Sequence, residues 1–218
     1  MPPEERRAAI IAATRPLVLE HGTAFTTRQV ADAAGIAEGT IFRVFENKED
    51  LLWAVVDQTM DPTDTCRSID ALDASTLVEA AAGIIAILQG AIQDTSRLFA
   101  AMHAHAPIDE GKPASHQGRR PPIAQPEVQR ARADALVVAI TGRLRAFEAE
   151  VRIPLDEGAS LIRSMAFATS HPFLSDGRLT DPRRVADLLL HGLAHPPAGT
   201  AGSTSHPSTR SNQHIPED

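Results

Sequence analysis

The chain has 218 residues, of which 43% are hydrophobic and 4% aromatic, and its formal net charge is -7. A core built mostly from alanine, leucine, isoleucine and valine suits packed helices better than a β-sandwich. The acidic excess excludes the bulk basic surface that gives non-specific binding to nucleic acid. The single cysteine, Cys66, excludes an internal disulfide and is typical of a reducing cytosol.

Membrane insertion and secretion are not expected. No apolar run approaches the ~20 residues that a membrane helix needs. The first residues, MPPEERRAAI, lack the apolar segment of a signal peptide. We therefore expect a cytoplasmic protein that does not engage a membrane.

The N-terminal quarter predicts short helices. The first helix is expected over Glu4–His21 and is stopped by Gly22, with Pro16 removing one backbone hydrogen bond and kinking it. Thr26 then opens a second helix, and Gln29 completes a capping box.

A tight turn follows the second helix. Gly35 permits this turn, and a third helix is expected over Glu38–Phe45, with Ile41 facing inward. Asn47 then caps a fourth helix. Two short amphipathic helices joined by a glycine turn are the build of a helix-turn-helix, whose second helix enters the DNA major groove.

The following region contains apolar helices and one long loop. Asp61–Ser75 is polar and rich in turn residues, so it is predicted to be a connection. Thr76–Gln93 is apolar nearly all round and predicts a buried helix, and Thr95–Ala106 predicts another. Residues 107–126 are rich in proline, glycine and charge and read as a long loop.

The last third predicts three helices and a tail. Glu127–Val151 is a long amphipathic segment, and Leu155–Ser170 and Arg183–Ala194 are two more, the last opened by Asp181 and a proline. Residues 197–218 contain little to bury and are predicted to be disordered.

The run from Gly22 to Leu52, GTAFTTRQVADAAGIAEGTIFRVFENKEDLL, resembles the DNA-binding domain of the TetR family of bacterial transcriptional regulators. The resemblance is carried by Gly35, by Gly39-Thr40-Ile41-Phe42, by Phe45 and by Asn47-Lys48-Glu49. It implies an all-α fold of about nine helices. Residues 1–60 would form the DNA-binding domain and residues 61–196 a regulatory and dimerisation domain.

The resemblance also implies DNA contacts. The expected contact residues are Thr27, Arg28, Glu38, Gly39, Thr40, Phe42, Arg43 and Lys48. Arg43 would read guanine, and Glu38 would either accept from a cytosine amine or serve as a helix-start charge. Many family members have tyrosine where this chain has Phe42, so one polar backbone contact is lost. Because residues 1–50 carry six basic and eight acidic side chains, the few cations must be placed locally.

For the larger domain, the resemblance implies a small-molecule effector and a homodimer on a palindromic operator. The candidate pocket residues are Phe99, Met102, His103, Met165 and Phe167. The candidate dimer contacts, on the last two helices, are Leu161, Ile162, Leu188, Leu189 and Leu193. Repression is what is usual in the family, and the resemblance implies it here.

Two alternatives remain open, a helical protein-interaction module and a helical enzyme without a DNA role. No phosphate-binding loop, nucleophile elbow or metalloprotease motif is present. His191 and His195 lie four residues apart, and His103 and His105 two apart, but neither pair completes a zinc site. We therefore expect a protein that is not an enzyme and needs no cofactor or metal.

Overall fold

The computed structural model describes residues 2–104 and 125–192. In these two ranges the chain forms nine α-helices and no strand, so the predicted all-α class is confirmed. The helices are α1 (Pro3–His21), α2 (Thr27–Ala34), α3 (Glu38–Ile41), α4 (Lys48–Thr59), α5 (Thr63–Asp70), α6 (Leu77–Ala104), α7 (Pro126–Leu144), α8 (Leu155–Ser170) and α9 (Pro182–His191). The predicted loop over residues 107–126, except its last two residues, and the predicted disordered tail lie outside the described residues.

Helix α1 continues through Pro16 as one helix. Proline has no N–H, so the carbonyl of Ala12 loses its helical partner. Both Ala12 and Pro16 are exposed, so water can satisfy that carbonyl. The predicted first helix is therefore present, without an interruption at the proline.

Local side-chain chemistry sets the limits of α2 and α4, as predicted. The Thr26 hydroxyl accepts from the backbone N–H of Gln29, while the Gln29 side chain accepts from the Thr26 N–H at 2.7 Å. Gly35 ends α2 in the left-handed conformation at φ 65°, which glycine adopts without a steric penalty. The Asn47 side chain accepts from the Asp50 N–H at 2.8 Å and caps α4.

Helix α3 is shorter than predicted. It ends at Ile41, and the chain then tightens into turns in which the N–H of Arg43 bonds to the carbonyl of Thr40 and that of Val44 to the carbonyl of Ile41. Such i→i+3 bonds are common where a helix ends. Phe42 and Arg43 therefore lie just beyond the helix, whereas Ile41 and Phe45 are buried as expected.

Three boundaries in the larger domain were predicted wrongly. The supposed connection Asp61–Ser75 contains α5, whose sequence, TDTCRSID, is mainly polar and therefore resembles a connection in composition. The two helices predicted over 76–106 are one helix, α6, because no proline or glycine interrupts it between Gln93 and Thr95. Helix α7 ends at Leu144 and is followed by a 3₁₀ segment, Arg145–Glu150.

The helices enclose two hydrophobic cores. The N-terminal core contains buried side chains of α1–α4, among them Ile41, and of their connections, among them Phe25 and Phe45. The C-terminal core is built by α5–α9. Helix α6 belongs to both, because its first half packs in the C-terminal core while Leu98 and Met102 are buried in the N-terminal core.

Helix α6 is long and apolar enough to cross a membrane by length and composition alone, with 28 residues and a hydropathy of 1.3 over its most apolar stretch. It is the one such helix in the described part of the chain. Its side chains supply buried positions in both cores, as expected of the central helix of a soluble fold.

Candidate nucleic-acid interface and adjoining cavity

The predicted DNA-contacting residues form one surface around the first turns of α2, α3 and α4, which we call the helix-turn-helix face. It comprises Thr27, Arg28, Glu38, Gly39, Thr40, Phe42, Arg43 and Lys48. None of these side chains is fully buried. The capping box and the Gly35 turn fix the angle at which α3 follows α2, and hence the direction of this face.

Arg28 and Arg43 are the two cations of this face that make no ion pair or side-chain hydrogen bond within the described chain. Both are exposed. A guanidinium without an internal partner offers all five of its donors to a phosphate or to the edge of a guanine. The geometry therefore supports a DNA-contacting role for both side chains.

Glu38 is engaged within the protein. Its carboxylate accepts from the Thr27 hydroxyl at 2.5 Å, joining the first turn of α2 to the first turn of α3. A carboxylate has further lone pairs, but this bond orients it toward α2. The helix-start role is therefore better supported by the structure than the reading of a cytosine amine.

Lys48 is also held internally. Its ammonium donates to the Thr23 carbonyl at 2.7 Å and lies 4.7 Å from the centre of the Phe25 ring. Partial burial lowers the pKa of this lysine through desolvation. Two donors remain available for a phosphate, but the side chain first anchors the start of α4.

Gly39 has no internal reason to be glycine. A Cβ built on it would meet no heavy atom within 4 Å, and its φ is not positive. Alanine would favour the helix, since glycine in a helix costs roughly 1 kcal/mol. The backbone at position 39 is therefore open to close approach from outside the chain, as it also is at Gly90 and Gly142.

Phe42 is 51% exposed, so it packs on the protein over only part of its ring. It is the residue that directly follows the end of α3. A half-exposed aromatic on the helix-turn-helix face offers apolar contact, for instance with a thymine methyl.

A cavity of about 760 Å³ lies beside this domain, between α4, α6, α7 and α8. Its wall is largely apolar, with Leu88, Ile92, Phe99, Leu136 and Phe167 among the lining residues. This volume lies in the range of pockets that hold small molecules, about 300–1,000 Å³.

Two arginines supply the main polar groups of the cavity. Arg132, on α7, donates to the Asp57 carboxylate of α4 at 2.6 Å and to the Asp57 carbonyl at 3.2 Å. Its Nη1 and the Nε of Arg163 are buried without a hydrogen-bond partner in the described chain. Neither arginine was singled out from the sequence, because each lies in an ordinary amphipathic pattern.

The predicted pocket residues divide into two groups. Phe99, His103 and Phe167 line the cavity. Met102 does not, because it points from α6 into the N-terminal core. Met165 also lies off the cavity and packs against the C-terminal core. The structure instead adds His171 and Phe173 to the lining, in the turn that follows α8.

The predicted dimer contacts also divide. Leu161 is 48% exposed on α8, whereas Ile162 is 3% exposed and belongs to the C-terminal core, so it cannot reach a partner. Leu188 and Leu189 are partly buried on α9. Leu193 lies outside the described residues.

Metal-binding side chains are not assembled in the described ranges. No three histidine, cysteine, aspartate or glutamate side chains there are placed to hold a metal ion. His191 lies 3.0 Å from the Asp187 carboxylate, and His105 and His195 lie outside the described residues. Burial raises the pKa of the Cys66 thiol, which keeps it protonated at neutral pH.

Comparisons with known proteins agree on the fold. The family described as "Bacterial regulatory proteins, tetR family" matches residues 10–55. A TetR/AcrR family transcriptional regulator from Thermobifida fusca YX-ER1 is 19% identical, with 88% of this chain and 100% of the other covered and a TM-score of 0.55. A TetR-family transcriptional regulator from Streptomyces coelicolor is 19% identical, with 88% and 79% covered and a TM-score of 0.51.

The superantigen PfiT is similar as well, with 19% identity, 88% of this chain and 97% of the other covered, and a TM-score of 0.52. No curated protein matches the chain. At such identities structural likeness establishes the fold alone, and function must be argued from the site.

Proposed function

We propose that the chain is a dimeric repressor that binds a palindromic operator and is released by a small molecule, because residues 10–55 match the TetR family and the chain has the fold of TetR-family regulators. The observation that carries the proposal is the helix-turn-helix face. It combines two exposed arginines without internal partners with a glycine that the fold does not require.

The two arginines differ in their proposed roles. Arg28 lies in the first turn of α2, where the helix approaches the phosphate backbone, so it would position the domain without reading sequence. Arg43 lies just after α3, on the segment that enters the major groove, so it would read a guanine. The acidic side chains nearby would suppress binding to random DNA.

Dimerisation would place two such faces on one DNA duplex. The proposed interface pairs α8 and α9 with their counterparts through Leu161, Leu188 and Leu189. A two-fold dimer that spaces its recognition segments one helical turn apart, ~34–36 Å, requires a pseudo-palindromic site.

The dimer would be released from the operator when a ligand binds in the cavity. The ligand would bind more tightly to a state in which the distance between the two helix-turn-helix faces does not match the operator. The ligand can shift this equilibrium only by its differential affinity for the two states, typically ~1–3 kcal/mol. The cavity touches the last turn of α4, and α4 begins next to α3, so α4 is the proposed lever. The site of action would be the bacterial cytoplasm.

The decisive experiment is selection of bound sequences from random double-stranded DNA by the purified full chain. A palindromic consensus, bound more weakly as salt rises, is the expected result. A matched variant with Arg28 and Arg43 both changed to alanine should recover no consensus. If the unaltered chain enriches no sequence, the proposal is wrong and a protein-interaction role becomes the better reading.

A further inference from the structure

We propose that the cavity takes a small organic anion, an apolar body bearing one carboxylate, and that the carboxylate binds to Arg163 and Arg132. The inference deepens the proposed function, on which it rests, by assigning the chemical class of the effector. It also assigns the ion pair that the effector would displace, between Arg132 and Asp57.

Arg163 is the cation of the cavity that lacks an acidic partner. It lines the cavity from α8 and makes no ion pair within the described chain. Its Nε is buried without a hydrogen-bond partner. This nitrogen is closed to a water-sized group, so a carboxylate in the cavity would bind the guanidinium through its terminal nitrogens, without competition from an acidic side chain.

Only one of the two terminal nitrogens of Arg132 makes hydrogen bonds within the described chain. Its side chain is 15% exposed, and one nitrogen, Nη2, serves both the carboxylate and the carbonyl of Asp57. The other nitrogen, Nη1, is buried and has no partner. Because Nη1 is closed to a water-sized group and Nη2 is held by Asp57, an anion would gain Arg132 by displacing Asp57 from it.

The rest of the wall favours one negative charge on an apolar body. The lining carries the two arginines against a single carboxylate, Asp61, whose pKa is lowered by its hydrogen bonds with Thr63, so it stays ionised at neutral pH. The remaining lining side chains are mainly aliphatic and aromatic. Since Arg132 is already paired with Asp57, Arg163 is the lining arginine for which the described chain supplies no carboxylate, and one carboxylate on the ligand would supply it.

The same geometry connects the ligand to the DNA-binding domain. Asp57 lies on α4, ten residues after the Asn47 cap, and its partner Arg132 lies on α7 of the larger domain. An anion on Arg132 competes with Asp57 for the guanidinium. It thereby weakens the contact that holds the end of α4 against α7.

The test uses 8-anilinonaphthalene-1-sulfonate, an anion with an apolar body whose fluorescence rises in apolar sites, titrated onto the full chain. Arg163→Met should weaken its binding about tenfold or more, and Arg163→Lys should restore part of it. Arg178→Met, at an exposed arginine off the cavity, is the matched control and should change nothing. Decanoate should displace the probe, whereas decan-1-ol of equal length should displace it far less.

The Asp57→Asn variant tests the competition. Removing the competing carboxylate should tighten probe binding several-fold, while a carboxylate that only orients Arg132 would make the same variant bind more weakly. Equal binding by wild type and Arg163→Met, no binding by wild type, or equal displacement by acid and alcohol would each overturn the anion assignment. Thermal unfolding of each variant identifies any that fail to fold.

These titrations contain no DNA. If the cavity does not bind anions but the chain still binds the selected operator, the anion assignment is wrong and the proposed DNA-binding function stands.

Discussion

At position 39 a methyl group would meet no heavy atom within 4 Å, and the backbone does not need the conformational freedom of glycine. Every other contribution of this residue to folding favours replacement by alanine. Gly39 differs from Gly90 and Gly142, which are open in the same way, by lying on the helix-turn-helix face beside two arginines without internal partners, where we propose that DNA approaches the backbone.

Gly39→Ala is therefore expected to leave stability unchanged or slightly raised, while operator affinity falls by about 1–3 kcal/mol because the added methyl blocks close approach. Gly142→Ala is the matched control, since that glycine also has an open Cβ position but lies within α7. Thermal unfolding and binding to the selected operator measure the two effects. Undiminished operator binding by Gly39→Ala would remove the argument from this residue.

Alanine substitutions of Arg28 and Arg43 should weaken DNA binding in different ways. Arg43→Ala is expected to cost roughly 1–3 kcal/mol at the operator and to relax preference at one base pair. Arg28→Ala should weaken all sequences alike and lower the salt slope by about one. Titrations on the operator and on a scrambled duplex at several salt concentrations separate the two. A uniform loss for Arg43→Ala would identify it as a phosphate contact.

Among the elements, α6 has the most unusual position, because it supplies buried side chains to both cores. Leu98 is fully buried near its end, where it packs with residues of α1 and α4. The larger domain thus reaches the DNA-binding domain through a continuous helix as well as through the Arg132–Asp57 ion pair. A movement of one domain relative to the other would therefore change the packing of α6 on the N-terminal core, the Arg132–Asp57 ion pair, or both.

Leu98→Ala is expected to lower the free energy of unfolding by about 2–5 kcal/mol, because it removes a fully buried side chain and leaves a cavity. Leu19→Ala, at an exposed leucine of α1, should cost far less and is the control. Denaturant unfolding followed by circular dichroism gives both values. A loss below ~1 kcal/mol for Leu98→Ala would mean that α6 packs only loosely on the N-terminal core.

The sequence predicted best those elements whose causes are local. The Thr26 capping box, the Gly35 turn and the Asn47 cap depend on residues within three or four positions of one another, so the helix-turn-helix could be read directly. The cavity could not be predicted, because Arg132 and Asp57 are 75 residues apart and meet only through packing. Helix α5 was missed because its residues are mainly polar, so its composition resembles that of a connection.

For the whole molecule, the proposed dimer determines whether the chain can read DNA specifically. A single helix-turn-helix contacts few base pairs, and two of them on a two-fold axis double the site that is read. The exposed positions of α8 include Leu161, while Ile162 beside it is committed to the C-terminal core. The described surface therefore offers an apolar contact at position 161 and none at 162.

Leu161→Lys should raise the dissociation constant of the dimer by about tenfold or more, equivalent to roughly 1.4 kcal/mol, since an isologous interface contains each substitution twice. Operator affinity should fall with it, because a monomer holds only one half-site. Leu19→Lys, another exposed leucine, should alter neither. Analytical ultracentrifugation across a concentration series, with binding to the full operator and to a half-site, gives the measurement. If Leu161→Lys stays dimeric and binds the operator normally, α8 does not form the interface, and the two recognition segments must be brought together by another surface.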